Sequence, residues 1–257
     1  MPYYNYNNHA CWYEEHGEGD PLLMLHGNTA SSRIFDGVYE LFTKKYRVIL
    51  IDFLGHGRSD RIKSFPDDLW YDEGMQVVEF IKQKNIGKTY MIGSSGGALA
   101  AVNAALEAPE LFIKVIADSF EGETPMPSFV ETVECDREAS KANPGAREFY
   151  ISMHGEGWEN VVDNDTHAVT AHAKTIGKFF HKPFSMLKTD ILMTGSREDE
   201  YTAPIAADFY DKIYAGLIQK AGHGKMHVFE HGGHPAIITN PDEFFRVACE
   251  FFGERCF

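Results

Sequence analysis

Two kinds of hydrophobic pattern alternate along the chain. Leu22–Leu25 and Val48–Ile51 are apolar at every position, as expected of strands buried on both faces within a parallel sheet. Between them Val38, Leu41, Phe42 and Tyr46 have roughly helical spacing, and Trp70–Ile86 repeats the amphipathic pattern with Val77, Val78, Phe80 and Ile81. The alternation continues as strand Thr89–Gly93, Ala-rich helix Gly96–Leu106, strand Lys114–Ala117, strand Asp190–Thr194, helix Ala206–Ile218, strand Met226–Phe229 and helix Pro241–Phe252. Ahead of this series, Tyr3–Tyr6 and Ala10–Glu14 flank Asn7-Asn8, a pair suited to a tight turn, and predict a hairpin.

This order predicts an α/β fold with a mainly parallel central sheet and helices on both faces. One stretch breaks the rhythm. From Glu121 to about Ser185 there is no strand-like run, only helical patches such as Val130–Lys141 and Trp158–Phe180. The expected organisation is therefore a core formed by residues 1–120 and 186–257, with residues 121–185 as a helical insertion. No internal repeat or low-complexity linker interrupts it.

The 257 residues are enough for one large core, and the formal charge of -14 argues against nucleic acid or an anionic membrane as a partner, because phosphates would be repelled. Cys11, Cys135, Cys249 and Cys256 contain no C-x-x-C pair, so neither a zinc site nor a disulfide framework is expected, and a reducing cytoplasm is. No basic start leads into an apolar stretch at the N-terminus, and no run of about 18 apolar residues occurs, so no export signal or membrane span is expected.

Candidate chemistry begins at Gly93-Ser94-Ser95-Gly96-Gly97, a G-x-S-x-G motif where a predicted strand meets a predicted helix. A turn that sharp strains its central residue and leaves no room for bulk two positions away, which glycine satisfies. Ser95 would project above the sheet edge, with the Gly96 N–H facing any developing oxyanion. The alternative is a Gly/Ser turn without catalytic purpose. The alanines of the following helix read as structural, letting it lie close to the sheet. His26-Gly27-Asn28-Thr29 follows the first buried strand, where a second oxyanion donor is needed; the Asn28 N–H is the candidate, against an ordinary turn with a buried His26.

A serine hydroxyl needs a base to take its proton, and the base needs a carboxylate to orient it. The loops after later strands supply both types: Gly195-Ser196-Arg197-Glu198-Asp199-Glu200, then His231-Gly232-Gly233-His234-Pro235. His227, His231 and His234 are closely spaced, but no carboxylate pair joins them, so no metal is expected.

Five ordered segments together resemble the serine-nucleophile branch of the α/β-hydrolase superfamily, its carboxylesterases and lipases: His26-Gly27, Asp52-Phe53-Leu54-Gly55-His56-Gly57-Arg58-Ser59, Gly93–Gly97, Gly195–Asp199, and Gly233-His234 followed by Asn240-Pro241. The resemblance covers nearly the whole chain. It implies Ser95 as nucleophile, Asp199 as acid, His234 as base, and Asn28 and Gly96 as oxyanion donors, with no cofactor. Asp118, ending an earlier strand, is a position some family members use for the acid. His223 precedes the last strand and His231 lacks the placement of His234 ahead of the Asn240-Pro241 helix start. The insertion resembles the family's cap, in which Tyr150, Met153, Trp158, Phe179 and Phe180 either line a substrate pocket or pack the cap on the core.

The expected activity is hydrolysis of a small carboxylic ester, lactone or thioester through an acyl-enzyme. Carbon–carbon bond hydrolysis and acyl transfer are sister chemistries of the same residues. A ligand-binding receptor on this fold is the alternative of a different class. A nucleotide-binding protein is disfavoured because no G-x-G-x-x-G opens the first crossover.

Overall fold

In a computed structural model, which describes residues 2–253, the predicted strands assemble into one eight-stranded sheet. Cys256 lies outside the described residues. Strands β1 (Tyr3–Tyr6) and β2 (His9–His16) form an antiparallel hairpin, with Asn7 and Asn8 both at positive φ. Asn tolerates that conformation better than other residues with a side chain. Strands β3 (Asp20–Leu25), β4 (Tyr46–Ile51), β5 (Thr89–Ser94), β6 (Phe112–Asp118), β7 (Asp190–Ser196) and β8 (Lys225–Phe229) follow in sequence. Their order across the sheet is β1-β2-β4-β3-β5-β6-β7-β8; β3 to β8 run parallel to one another, and β2 joins them antiparallel to β4.

Continuous apolar runs split by alternation between the faces of this sheet. Leu22, Met24, Val48 and Leu50 point to a face covered by helices α1 (Tyr39–Phe42) and, through Phe244 and Phe251, a helix at Pro241–Phe252. Leu23, Leu25, Ile49 and Ile51 point to the other face, covered by α2 (Leu69–Lys84) and α3 (Gly96–Glu107). Each such buried side chain contributes about 1.5–3 kcal/mol relative to exposure. The alanines of α3 are all buried, and small side chains there let the helix lie against β5 and β6.

Three helices, α4 (Pro127–Ala142), α5 (Pro144–His154) and α6 (Trp158–Thr175), separate β6 from β7 and pack on one another. The chain then returns through α7 (Phe209–Ala221), α8 (Ala236–Thr239) and α9 (Pro241–Phe252).

Three differences from the sequence pattern have local causes. Tyr46 belongs to β4, not to the helix before it: it pairs in register with Asp20, and only Tyr39–Phe42 of that region is α-helical. The Trp158–Phe180 patch ends as a helix at Thr175, where Gly177, at φ 71°, donates its N–H to His172 O and turns the chain. The short α8 has too few residues for a periodic signal.

Among the described residues no helix is long and apolar enough to cross a membrane.

Candidate active site

Ser95 sits between β5 and α3 with φ 56° and ψ -124°, a backbone conformation that L residues rarely adopt. The glycines around it are needed for close approach. A Cβ on Gly97 would overlap the Leu25 and His26 carbonyls, and one on Gly93 would overlap the Gly97 carbonyl and meet Ala101. The turn is also pinned from β6, since Ser95 N–H donates to Asp118 O at 2.7 Å.

Two hydrogen bonds connect Ser95 to a buried carboxylate. His234 Nε2 lies 2.8 Å from Ser95 Oγ, and His234 Nδ1 lies 2.8 Å from Asp199 Oδ2. With Nδ1–H donating to the carboxylate, Nε2 is left to accept the serine proton. Asp199 is fully buried, and it also accepts the Tyr210 hydroxyl at 2.7 Å and the Tyr201 N–H at 2.9 Å. Burial pushes the Asp199 pKa up, but the His234 contact and these two donors outweigh it and hold the carboxyl below its ordinary range. Burial likewise lowers His234, and the bond to Asp199 with its charge overcomes this, leaving the imidazole above the usual histidine value.

Gly195 allows the Tyr210 contact, because a Cβ there would lie 2.6 Å from the Tyr210 ring. The acids flanking Asp199 hold the histidine loop instead of the ring. Glu198 accepts from Gly232 N–H at 3.2 Å and pairs with His231 Nδ1 at 3.1 Å, while Glu200 accepts the His234 N–H at 2.9 Å.

Asp118, the other acid weighed from sequence, is occupied elsewhere. It is fully buried and accepts from Thr194 Oγ1 at 2.7 Å and from the Ile237 N–H at 3.1 Å, so it ties the start of α8 to the sheet. Burial pushes its carboxyl up to about 6. His223 bonds to Leu187 O, away from Ser95, and His227 meets the Phe229 ring edge-on. Among the described residues no group of three His, Cys, Asp or Glu side chains is placed to hold a metal ion.

Asn28 and Gly96 flank the serine on two sides. Gly27 approaches so closely that a Cβ on it would lie 2.8 Å from Ser95 Cβ, and a Cβ on Gly96 would overlap the Asn28 side-chain oxygen. Gly96 is the first residue of α3, where an N–H has no intrahelical acceptor, and neither it nor the Asn28 N–H meets a protein acceptor among the described residues. His26 is buried beneath this loop, accepting the Phe53 N–H on Nε2 at 3.2 Å.

A cavity of about 410 Å³ opens over Ser95, His234, Asn28 and Gly96, with α4 and α5 forming its far wall. Of the aromatic and Met positions considered in the 121–185 segment, the structure brings Tyr150 to the cavity and leaves the others out. Trp158 stacks behind Tyr150 at 5.6 Å between ring centroids, Met153 lies against Ser31 Oγ, Phe179 packs edge-on against Trp70, and Phe180 packs against Phe184. An amphipathic helix offers one apolar face, and here most of that face is spent on other helices rather than on the cavity.

The cavity also presents residues the sequence pattern did not mark. Glu121 lies on its wall, and burial pushes the carboxyl up to about 7. Arg137 of α4 is the lining's one lysine or arginine. Tyr201 meets the His234 ring edge-on at 5.0 Å. Tyr201 follows the acid loop directly, whereas Tyr210 stands on α7, eleven residues after Asp199.

Comparison with known proteins agrees with this architecture. Residues 20–170 match the alpha/beta hydrolase fold family. Over 105 residues the chain is 32% identical to an (E)-2-((N-methylformamido)methylene)succinate hydrolase of Acinetobacter baylyi, a match spanning 41% of this chain and 39% of that protein. It is 25% identical over 271 residues to a 2-hydroxy-6-oxo-6-phenylhexa-2,4-dienoate hydrolase of Comamonas testosteroni, covering 95% of this chain and 91% of the relative. The solved structure of an N-acyl homoserine lactone degrading enzyme superposes with a TM-score of 0.73 at 19% identity, over 97% of this chain and all of the other, a likeness of fold. With more than half of its length matched, the chain belongs to the alpha/beta hydrolase fold family.

Proposed function

We propose that the protein is a serine hydrolase that cleaves a small carboxylic ester, or a lactone or thioester of similar shape, through an acyl-enzyme on Ser95. The observation that carries this reading is the unbroken chain of two 2.8 Å contacts from Asp199 through His234 to Ser95. In it, Ser95 Oγ attacks the carbonyl carbon while its proton passes to His234 Nε2. The carbonyl oxygen becomes an oxyanion that the Asn28 and Gly96 N–H groups face, and each such donor contributes about 3 kcal/mol to the transition state. Asp199 stabilises the imidazolium without taking its proton. His234 then protonates the departing alkoxide, and water, activated by the same imidazole, attacks the acyl-serine to release the acid. Residues 121–185 serve in this reading as a cap over the cavity.

Labelling with a fluorophosphonate, located by mass spectrometry, together with turnover of a panel of short-chain esters, lactones and thioesters, tests it. Label on Ser95 with ester turnover supports the reading, and label elsewhere or no turnover of any member counts against it.

A second reading rests on the relative aligned over 95% of the chain. The compound in that relative's name contains no ester or amide, so its hydrolysis has to break a carbon–carbon bond. The same nucleophile and oxyanion donors can attack a ketone carbonyl. Turnover of that dienoate at a higher kcat/KM than any ester would favour this chemistry.

A further inference from the structure

The loop that carries Asn28 is held by the helices above it as much as by the sheet beneath it. Thr29, the next residue, has φ 53°, a conformation that a β-branched side chain occupies only when its surroundings over-determine it. Its backbone N–H donates to Asp165 Oδ2 of α6 at 3.3 Å. Its backbone carbonyl accepts from His154 Nε2, at the end of α5, at 2.9 Å. Both backbone groups of Thr29 therefore end on side chains of the 121–185 segment.

The two side chains are themselves fixed. His154 is buried, and its Nδ1 accepts the Gly57 N–H at 3.1 Å, which places the ring proton on Nε2, facing the Thr29 carbonyl. Burial lowers its pKa to about 4, so the ring keeps this neutral form at neutral pH. Asp165 is fully buried and pairs with Arg137 Nη1 at 3.2 Å. Its Oδ1 also lies 3.3 Å from Asn28 Nδ2, while Asn28 Oδ1 accepts from Trp70 Nε1 of α2 at 3.0 Å. The Asn28 side chain thus bridges the core helix and the helical segment.

We infer that Asp165 and His154 are positioning residues that set the direction of the Asn28 N–H toward the oxyanion. The inference rests on the serine-hydrolase reading above. It gives the cap a second task besides shaping the cavity: seating it completes the oxyanion hole. A mispointed donor weakens only the transition state, because the ground-state carbonyl carries little charge, so the defect belongs in kcat.

The test uses the full chain, two 4-nitrophenyl esters of short and medium acyl length, and four variants. His154→Ala removes the donor to Thr29 O, and His154→Gln restores an N–H at a similar reach. Asp165→Ala combined with Arg137→Met removes the other contact without leaving a buried unpaired charge, and because Arg137 lines the cavity this double variant is read against Arg137→Met alone in place of wild type. In His154→Ala and in the double variant, kcat is expected to fall about tenfold to a hundredfold, by the same factor for both esters. KM should stay within about threefold of wild type, the pH midpoint of kcat/KM should not move, and His154→Gln should recover most of the loss. Unchanged kcat, a loss confined to KM, or an altered preference between the esters would overturn the positioning role. Wild-type protein that neither hydrolyses the esters nor takes a fluorophosphonate would sink the serine-hydrolase reading, and the positioning role with it. Active wild type with unimpaired variants sinks the positioning role alone.

Discussion

Thr194 Oγ1 on β7 donates to Asp118 Oδ1 at the end of β6, at 2.7 Å, which ties one candidate acid to the strand that leads to the other. Asp118 ends β6 and Asp199 lies in the loop after the neighbouring β7, and it is Asp199 that reaches the His234 ring. Asp118 faces hydroxyl and backbone donors that hold α8 in place. Replacing each acid by its amide should separate the roles. Asp199→Asn should lower kcat by about 10³- to 10⁴-fold with the fold intact, because the histidine loses the partner that sets its tautomer. Asp118→Asn should cost about 1–3 kcal/mol of stability through its disturbed hydrogen bonds. Ester kinetics and urea unfolding on both variants check this; the opposite pattern would move the acid to the earlier strand.

Ser94 and Ser95 are adjacent, but Ser94 is buried at the end of β5 and only Ser95 contacts a base. Ser95→Ala should abolish fluorophosphonate labelling and reduce turnover on the order of 10⁶-fold. Ser94→Ala should keep both. Label mapped to Ser94, or an inactive Ser94→Ala with normal unfolding, would contradict the assignment.

Turnover should follow the neutral form of His234. Because Asp199 raises the imidazole above the ordinary histidine pKa, kcat/KM should rise with pH to a plateau, with its midpoint above about 6.5. Glu121 adds a second titration in the same cavity, its carboxyl pushed up to about 7 and coupled to His234 by charge. Ionised Glu121 favours imidazolium, so Glu121→Gln should shift the midpoint to lower pH. A pH–rate profile of wild type and Glu121→Gln provides the measurement, and a flat wild-type profile between pH 5 and about 8 would exclude a histidine base.

Tyr210 donates its hydroxyl to the same Asp199 oxygen that receives His234. A hydrogen bond to a charged group is worth about 1.5–3 kcal/mol. Tyr210→Phe should therefore weaken the acid's hold and lower kcat by about one to two orders of magnitude, with KM little changed. A variant as active as wild type would leave Tyr210 as packing for Gly195.

Within the helical segment 121–185, Tyr150 lines the cavity and Trp158 stacks behind it. Tyr150→Ala should change the preference between short and medium acyl esters. Trp158→Ala should chiefly cost stability, about 3–5 kcal/mol for a buried aromatic, with a smaller shift in preference. Specificity profiles and melting curves on the two variants distinguish these roles, and a larger preference change from Trp158→Ala would put that ring in the substrate path.

The sequence alone carried the strand runs, their alternation with helices, the strained turn at Gly93–Gly97, and the order serine, acid, histidine along the chain. These are local signals: a strand buried on both faces has to be apolar throughout, and a turn that sharp has to have glycine where its backbone touches a neighbour. Spacing could not separate the roles of Glu198, Asp199 and Glu200, because three consecutive acids in one loop differ only in what they face. Folding gave each a different part of the histidine loop. Nor could helical periodicity tell Tyr150 from Met153, Trp158 or Phe179, since it marks an apolar face but not what covers that face. Asp165, His154 and Glu121 read as ordinary polar residues until the helical segment folds back over Asn28 and Ser95. Their partners are far away in the chain, 136 residues in the case of Asp165 and Thr29. Such pairings are decided by where helices come to rest, and only the tertiary structure records that.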